Sequence, residues 1–301
     1  MIEIRPAESE EDIAAFLAIR AAVDPDFPMT REAFDAECTT PGRLDVVALA
    51  DDEHAGGAFV ERQYGDAEST TAAVSVRVLE PFRRRGIGTR LLEHVAEHAR
   101  ASGAQELFAV ARSEATSLLG FYAARGFTEV GRMQEVELSP TAVDVEVGGP
   151  AGIEILSLGD RADLERGMYD VAKQAEADVH ATRPAAVRSF ASWRRRSLGP
   201  LAMRELSFAA LEDGEVVGYA ILGRAGAGDV THWFTGVRRD RRGHGIATAL
   251  KQAQIVGARA AGIETLRTQN DLGNAAMRRV NEKLGYRARL EWVQMAAPAD
   301  V

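Results

Sequence analysis

The sequence AAVSVRVLEPFRRRGIGTRLLEHVAEHA (residues 72–99) joins a strand-like segment to a helix-like segment through a turn rich in arginine and glycine. The same order returns at residues 231–258, as THWFTGVRRDRRGHGIATALKQAQIVGA. β-Branched residues precede each turn and apolar residues recur at helical spacing after it, which predicts strand, turn and helix in both places. The two stretches lie 159 residues apart, so the chain is predicted to contain two copies of one fold.

The repeat continues on both sides of the turn. Gly126-Phe127 matches Gly285-Tyr286 at the same offset, and Ile2-Glu3-Ile4 matches Ile153-Glu154-Ile155. The stretch between the copies is rich in glycine, proline and polar residues, which is typical of a linker. The predicted organisation is an N-terminal domain at 1–139, a linker at 140–152 and a C-terminal domain at 153–301.

Composition restricts the possible partners. The formal net charge of the 301 residues is −9 and the pI is about 5.3, which disfavours a protein that binds nucleic-acid backbones. Cys38 is the single cysteine, so no intrachain disulfide can form, and a cytoplasmic location fits best. No apolar run approaches the roughly 20 residues needed to cross a bilayer. The sequence predicts a cytoplasmic protein without nucleic-acid or membrane partners, and it leaves the oligomeric state open.

Each turn has the features of an anion site. The first N–H groups of a helix lack intrahelical acceptors, the helix dipole adds positive charge, and glycines let a phosphate approach the backbone. A P-loop would require Gly-Lys-Ser/Thr at the end of the turn, and a dinucleotide fingerprint would require glycine where Leu91 and Leu250 stand. Both alternatives fail. His94 and His98 formally match an inverted zinc-protease motif, but so short a match is weak, and we predict no metal site.

The pattern Arg-x-x-Gly-x-Gly/Ala at a strand-to-helix junction resembles the acetyl-CoA loop of the GNAT superfamily of N-acetyltransferases. The resemblance covers both copies, with the upstream segments Val76–Val78 and Thr235–Val237 and the downstream Gly-aromatic pairs. It implies an α/β fold of two tandem GNAT-type domains, each a twisted, mostly antiparallel sheet flanked by helices. It also implies acetyl-CoA as cofactor and direct attack by a substrate amine on the thioester.

The resemblance further implies which residues hold the cofactor. Backbone N–H groups of the turns would bind the pyrophosphate, and the two upstream segments would diverge from the neighbouring strand to pair with the pantetheine arm. The N–H group of Val76 or Thr235 would polarise the acetyl carbonyl. The implied cofactor residues are Val76, Val78, Arg83, Arg84, Arg85, Gly86, Ile87, Gly88 and Thr89 in the first copy, and Thr235, Val237, Arg242, Gly243, His244, Gly245, Ile246, Ala247, Thr248 and Asn274 in the second.

The two copies differ where the resemblance implies a proton donor. GNAT enzymes commonly have a tyrosine before the Gly-aromatic pair and an asparagine seven residues earlier. The first copy has Tyr122 but Ala115, whereas the second has Asn274 but Asn281. Asn281 has no proton to give up, so Tyr122 is the predicted general acid, although the second copy has the more regular loop.

The general base is less defined. The family often places a glutamate on a central strand, and the corresponding positions here hold Ala72, Val110, Thr231 and Gln269, none of which is a base. Nearby substitutes are Glu114 in the first copy and Asp229 or His232 in the second; His232 has the ordinary pKa nearest neutrality. A chain of water molecules is an alternative.

The predicted function is transfer of an acetyl group from acetyl-CoA to a primary amine of a small molecule or peptide. One alternative is a non-catalytic acyl-CoA sensor or scaffold, which the missing glutamates favour. Another is a biosynthetic enzyme like the tandem GNAT protein of mycothiol synthesis. The enzyme hypothesis in its favoured form has one active domain and one degenerate partner.

Overall fold

A computed structural model describes residues 1–25, 28–40, 42–62, 69–179, 189–225 and 229–300 of the chain. It contains two compact units. The first consists of Met1–Val130 together with Val293–Val301, and the second consists of Gly131–Trp292.

The segments of the first copy form six strands and four helices. They are β1 (Ile2–Pro6), α1 (Glu10–Val23), α2 (Arg31–Glu37), β2 (Leu44–Ala50), β3 (Glu53–Arg62), β4 (Thr71–Val78), α3 (Ile87–Ala101), β5 (Glu106–Arg112), α4 (Thr116–Ala123) and β6 (Thr128–Leu138).

The second copy repeats this order. Its elements are β7 (Ile153–Ser157), α5 (Glu165–Val179), α6 (Phe190–Ser197), β8 (Phe208–Glu212), β9 (Glu215–Ala225), β10 (Asp229–Val237), α7 (Ile246–Ala260), β11 (Leu266–Asp271), α8 (Ala275–Lys283) and β12 (Arg287–Pro298).

Strand pairing is mostly antiparallel in both units. In the first unit β1 to β4 pair antiparallel in chain order, and β4 then pairs with β5 in parallel. In the second unit β7 to β10 do the same, β10 pairs with β11 in parallel, and β11 pairs antiparallel with β6. The predicted class, a mixed α/β fold in two tandem domains with helices against a largely antiparallel sheet, is confirmed.

The C-terminal part of the last strand of each copy belongs to the unit of the other copy. Residues 133–138 of β6 pair with β11, and Val136 is buried in the core of the second unit. Val293 and Met295 of β12 are buried in the core of the first unit. The predicted boundaries, 1–139, 140–152 and 153–301, follow the sequence repeat and stay a prediction, whereas the compact units exchange these segments.

Helix α3 shows why the pattern after each turn folds as it does. Its buried residues recur at the three- and four-residue spacing of one helix face and are Ile87, Leu91, Leu92, Val95, Ala96 and Ala99. Arg90, Glu93 and Glu97 lie on the exposed face. The helix therefore covers one side of the sheet formed by β2, β3 and β4. No helix of the described residues is long and apolar enough to cross a membrane.

Candidate functional site

The turns before α3 and α7 share an unusual backbone. Gly86 and Gly245 precede the helices with φ of 83° and 87°, in the left-handed region that glycine adopts without strain. Two residues earlier, Arg84 and Gly243 also have positive φ, at 64° and 78°. A Cβ atom built on Gly86, Gly243 or Gly245 would meet nothing within 4 Å. The glycines are therefore required by backbone conformation, and the space above the loop is open.

The open loop is lined by backbone donors. The first intrahelical bonds run from Arg90 N to Gly86 O and from Ala249 N to Gly245 O, at 3.2 Å and 3.0 Å. The N–H groups of residues 87–89 and 246–248 precede these bonds and so have no intrahelical acceptor. Both loops can therefore bind an anion through backbone groups at a helix N-terminus.

The arginine side chains of the loops have other partners. Arg83 Nε donates to Val78 O at 3.0 Å, and Arg242 Nε donates to Val237 O at 3.1 Å, so both side chains return to the end of the preceding strand. Arg85 Nη2 lies 2.6 Å from Asp51 Oδ2. For Arg83 and Arg242 the structure thus shows a loop-stabilising contact, and their predicted cofactor role stays a prediction.

A fork opens beside each loop. β4 pairs with β5 at only three positions, ending at Ala73↔Phe108, although β4 continues to Val78. β10 pairs with β11 at two positions, ending at Thr231↔Arg267, although β10 continues to Val237. Beyond these pairs the strands diverge, as the resemblance implies for a pantetheine channel. The residues predicted to line it, among them Val76, Val78, Thr235 and Val237, belong to the unpaired edges.

The second fork contains a β-bulge that the first lacks. The pairing of β10 with β9 shifts between His232 and Phe234, so Trp233 is an extra residue. Upstream of the bulge, Thr231 takes the place of Ala73, because both form the last parallel pair. The constant offset of 159 residues therefore breaks at Trp233, which sequence matching alone did not detect.

Tyr122 lies at the first fork. Its side chain is 1% exposed and packs against Phe127, with ring centroids 5.0 Å apart. Burial raises the pKa of Tyr122 to about 12, although nearby Arg77 and a hydrogen bond from the Val76 backbone oppose the shift. The phenol is therefore protonated at neutral pH, beside the N–H group that is predicted to polarise the carbonyl. This placement suits a general acid.

The equivalent position in the second unit carries unsatisfied polar atoms. Asn281 is 2% exposed, and neither its Nδ2 nor its Oδ1 has a hydrogen-bond partner. Thr235 Oγ1 on β10 and Asn270 Nδ2 on β11 are likewise buried without a partner. Unpaired buried polar groups are costly, so these atoms are available to hydrogen-bond a ligand that enters the fork. Sequence reasoning identified Thr235 and Asn281 by alignment, and it did not find Asn270.

His232 lies beneath α7. Its Nδ1 is 2.8 Å from Gln254 Oε1, and its Nε2 accepts from the Tyr286 hydroxyl. Burial, followed by the charge of Lys251, lowers the pKa of His232 well below its usual value. Both ring nitrogens are occupied and the side chain is 6% exposed, so the placement favours a structural network over the predicted role of general base.

The other predicted polar residues are dispersed. Asn274 Oδ1 accepts from Met277 N at 3.1 Å and caps α8, so its predicted cofactor contact stays a prediction. Glu114 follows β5, with 59% of its side chain exposed. The side chain of Asp229 lies outside the described residues.

Sequence reasoning missed a charged cluster on the α1 face of the first unit. Arg43 is 2% exposed and pairs with Glu37, Asp45 and Glu61, each at 2.8 Å. Desolvation raises the pKa of Glu37, although 39% of its side chain area is exposed. Glu61 is two residues after Phe59 on β3, so the two side chains share a face and Val60 lies on the other; this period-two pattern was the available signal for a carboxylate on that face.

Arg77 extends this charged surface to the fork. It follows Val76 on β4, and its Nε lies 2.6 Å from Asp24 Oδ2 at the end of α1. Its Nη1 is buried without a partner. The counterpart in the second unit is Gly236, where a Cβ would come 2.4 Å from the Phe234 ring. The two units therefore differ in charge at this position beside the fork.

Known proteins match this chain in sequence and in fold. The model of the Acetyltransferase (GNAT) family matches residues 10–127 and 168–286. Glucosamine 6-phosphate N-acetyltransferase 1 of Oryza sativa subsp. japonica is 32% identical over 136 residues, which are 42% of this chain and 81% of that protein.

Two solved structures cover nearly the whole chain. A GCN5-related N-acetyltransferase from Sphaerobacter thermophilus aligns over 99% of this chain and 96% of its own, with a TM-score of 0.77 and 22% identity. A tandem GNAT protein from the clavulanic acid biosynthesis pathway aligns over 99% of both chains, with a TM-score of 0.75 and 21% identity. At these identities the two structures establish the fold.

Proposed function

Since this chain belongs to the GNAT acetyltransferase family, we propose that it transfers an acetyl group from acetyl-CoA to a primary amine of a small molecule. The pyrophosphate binds the backbone donors of a loop, and the pantetheine arm lies in the adjoining fork. The amine attacks the thioester carbon directly, the carbon–sulfur bond breaks, and the products are the amide and coenzyme A. Positioning and polarisation of the carbonyl supply the rate enhancement.

We assign turnover to the first unit. The observation that carries this assignment is Tyr122, a buried phenol with a pKa raised to about 12 at the unpaired edge of β4. A thiolate leaving group has a pKa near 8.5, so it takes a proton from a positioned donor as the carbon–sulfur bond breaks. In the second unit Asn281 occupies the equivalent position and cannot supply that proton.

The acceptor amine must lose a proton before or during attack. The carboxylates around Arg43 on the α1 face are candidates for the base, and burial raises the pKa of Glu37 among them. The rice relative is named for a phosphorylated amino sugar. Amino sugars and their phosphates are therefore the first acceptors to test.

The test replaces Tyr122 by phenylalanine and measures acetyl transfer together with acetyl-CoA affinity. The expected result is a fall in kcat of about 10²-fold or more, as for a lost general acid, with affinity nearly unchanged. Tyr169→Phe is the control, because Tyr169 packs against Phe190 in the core of the other unit. Full activity in Tyr122→Phe would remove the assigned acid.

A non-catalytic acyl-CoA sensor is the second candidate. It is favoured by Ala72, Val110, Thr231 and Gln269, which leave the family's usual base positions without a carboxylate. A sensor would bind acetyl-CoA and transfer no acetyl group to any amine tested. An enzyme would release free coenzyme A only when an acceptor amine is present.

A further inference from the structure

The core beneath α7 is polar where the core beneath α3 is apolar. In the first unit, the helix side of the fork is filled by Val74, Leu92, Val95 and Phe127, all of which are buried. In the second unit, the corresponding residues are His232, Lys251, Gln254 and Tyr286, and all four are also buried. The replacement of a whole apolar group by polar residues indicates a specific role, because buried polar side chains reduce stability unless they gain partners.

These residues meet at the closed end of the second fork. His232 follows Thr231, the last β10 residue that pairs with β11. The Tyr286 hydroxyl bonds to His232, and the Lys251 Nζ lies 5.0 Å from the centroid of the Tyr286 ring. Tyr286 is tied to α8 by the bond from its N–H to Asn281 O, at 3.0 Å. Lys251 therefore contacts the residues that lie at the inner end of the channel.

The ammonium of Lys251 has no anionic partner among the described residues. Its side chain is 1% exposed, and burial lowers its pKa to about 7 without a contribution from any described carboxylate. The groups that face it are His232 from β10 and Tyr286 from the start of β12. The pKa of His232 is lowered and that of Tyr286 is raised by burial, so both are neutral around pH 7. A buried cation in such surroundings gains stability from an anion brought in by a ligand.

We propose that the second unit binds free coenzyme A with its sulfur against Lys251, as a thiolate, and so binds it more tightly than acetyl-CoA. This inference rests on the proposed function, which puts the pyrophosphate on the loop at residues 242–248 and the pantetheine arm along Thr235–Val237. The arm then directs its sulfur to the closed end of the fork. Thr235 Oγ1 and both amide atoms of Asn281, which lack protein partners, are available to the amides of the arm.

The proton balance of the step is simple. The S–H bond of coenzyme A breaks, an N–H bond forms on the neutral amine of Lys251, and the products are a thiolate and an ammonium in contact. No oxidant or reductant takes part. Acetyl-CoA carries a thioester in place of the thiol, so it cannot form this ion pair.

The pH dependence follows from the two pKa values. A free thiol loses its proton near pH 8.5 and Lys251 gains one near pH 7, so the pair forms without net proton exchange between these values. Below pH 7 binding must release the thiol proton, and above about 8.5 it must take a proton up. The preference for coenzyme A over acetyl-CoA should therefore be greatest between about pH 7 and 8.5.

The experiment titrates coenzyme A and acetyl-CoA into the full chain by calorimetry from pH 6 to pH 9.5. It compares the wild type with Lys251→Leu, which installs the residue that the first unit has at Leu92, and with Lys251→Met as a second variant. Lys173→Leu is the control, because Lys173 is a half-exposed lysine of the same unit, 2.7 Å from Asp170. The expected result is a site with about tenfold preference for coenzyme A, lost in both Lys251 variants and kept in the control.

An equal ratio of the two affinities in the wild type and the Lys251 variants would overturn the inference and leave the proposed function intact, provided that acetyl-CoA still binds. If neither ligand binds the wild type, the proposed function fails and the inference fails with it. Because the ratio compares two ligands on the same protein, a variant of altered stability still gives a valid result.

Discussion

At the residue scale, the two copies show how equivalent positions acquire different chemistry. Tyr122 in α4 and Asn281 in α8 are equivalent positions. The tyrosine hydroxyl has a proton to donate, whereas the asparagine has two amide atoms without hydrogen-bond partners. Thr235 replaces Val76 at the same fork, and Lys251 replaces Leu92. Beside the fork, the first unit thus combines apolar residues beneath α3 with Tyr122, whereas the second combines polar residues beneath α7 with Asn281.

Lys251 makes the stability of the second unit depend on pH. The unfolded chain keeps this lysine charged up to its ordinary pKa near 10.4, whereas the folded chain releases the proton near pH 7. Between these values the unfolded state binds more protons, so stability rises with pH, by at most about 1.4 kcal/mol per unit. Below pH 7 both states are charged and this contribution is constant.

Lys251→Met should remove that slope. Urea unfolding followed by tryptophan fluorescence at pH 7, 8 and 9 is a direct measurement, because all three tryptophans, Trp193, Trp233 and Trp292, belong to the second unit. The stability difference between wild type and variant is expected to shift in favour of the wild type as pH rises. A difference independent of pH would show that Lys251 titrates normally.

Side-chain partners explain which site residues the sequence could predict. Features set by the backbone could be predicted from the sequence, because the left-handed conformation at Gly86 and Gly245 favours glycine. The placement of His232 was not, because its burial depends on Gln254 and Tyr286, which approach it from distant parts of the chain. The charged cluster around Arg43 was missed for the same reason, as it joins α2, β2 and β3.

At the element scale, the forks follow from where strand pairing stops. Strand and helix order were predictable from apolar periodicity, and the predicted strand, turn and helix are observed at both loops. The bulge at Trp233 was not predictable, since one inserted residue leaves no mark in composition. Its consequence is that Trp233 lies against Gly223 of the adjacent strand.

Gly223 should be intolerant of a side chain. A Cβ at this position would lie 2.0 Å from Cε2 of Trp233, so Gly223→Ala is expected to destabilise the second unit by about 1–3 kcal/mol through overpacking. In a Trp233→Ala background the same substitution should cost much less, because the clash is gone. Chemical unfolding of the four proteins of this cycle gives the coupling energy. Equal costs in the two backgrounds would show that the indole is not the obstacle.

At the scale of the whole molecule, the exchange of final strand segments makes the compact units differ from the two sequence copies. The sequence repeat predicts breaks near residues 139 and 153, because repeats record how a gene was duplicated. The compact units instead put Met295 in the first core and Val136 in the second. The exchanged segments are equivalent strands of the two copies, so each core keeps a similar composition. The apolar periodicity of the strands and the composition of the linker therefore could not reveal the exchange.

Reciprocal substitutions test the exchange. Met295→Ala should destabilise the first unit by about 2–5 kcal/mol and accelerate amide hydrogen exchange in β2 to β4, although Met295 belongs to the second sequence copy. Val136→Ala should accelerate exchange in β10 and β11. Hydrogen exchange resolved by peptide distinguishes the two patterns. If each substitution instead loosened the unit of its own sequence copy, residues 1–139 and 153–301 would be the folding units.

The central claim, that acetyl transfer uses the loop and fork of the first unit, is tested most directly by removing one backbone donor from each loop. Proline is tolerated in the first turn of a helix and lacks the N–H group, so Gly88→Pro and Ala247→Pro form a matched pair, with Gly88→Ala as the control for the added Cβ. We predict that kcat/KM for acetyl-CoA, measured with an amino-sugar acceptor, falls about tenfold or more in Gly88→Pro and stays near the wild-type value in Gly88→Ala and Ala247→Pro. A loss in Ala247→Pro with full activity in Gly88→Pro would contradict the account and place turnover in the second unit.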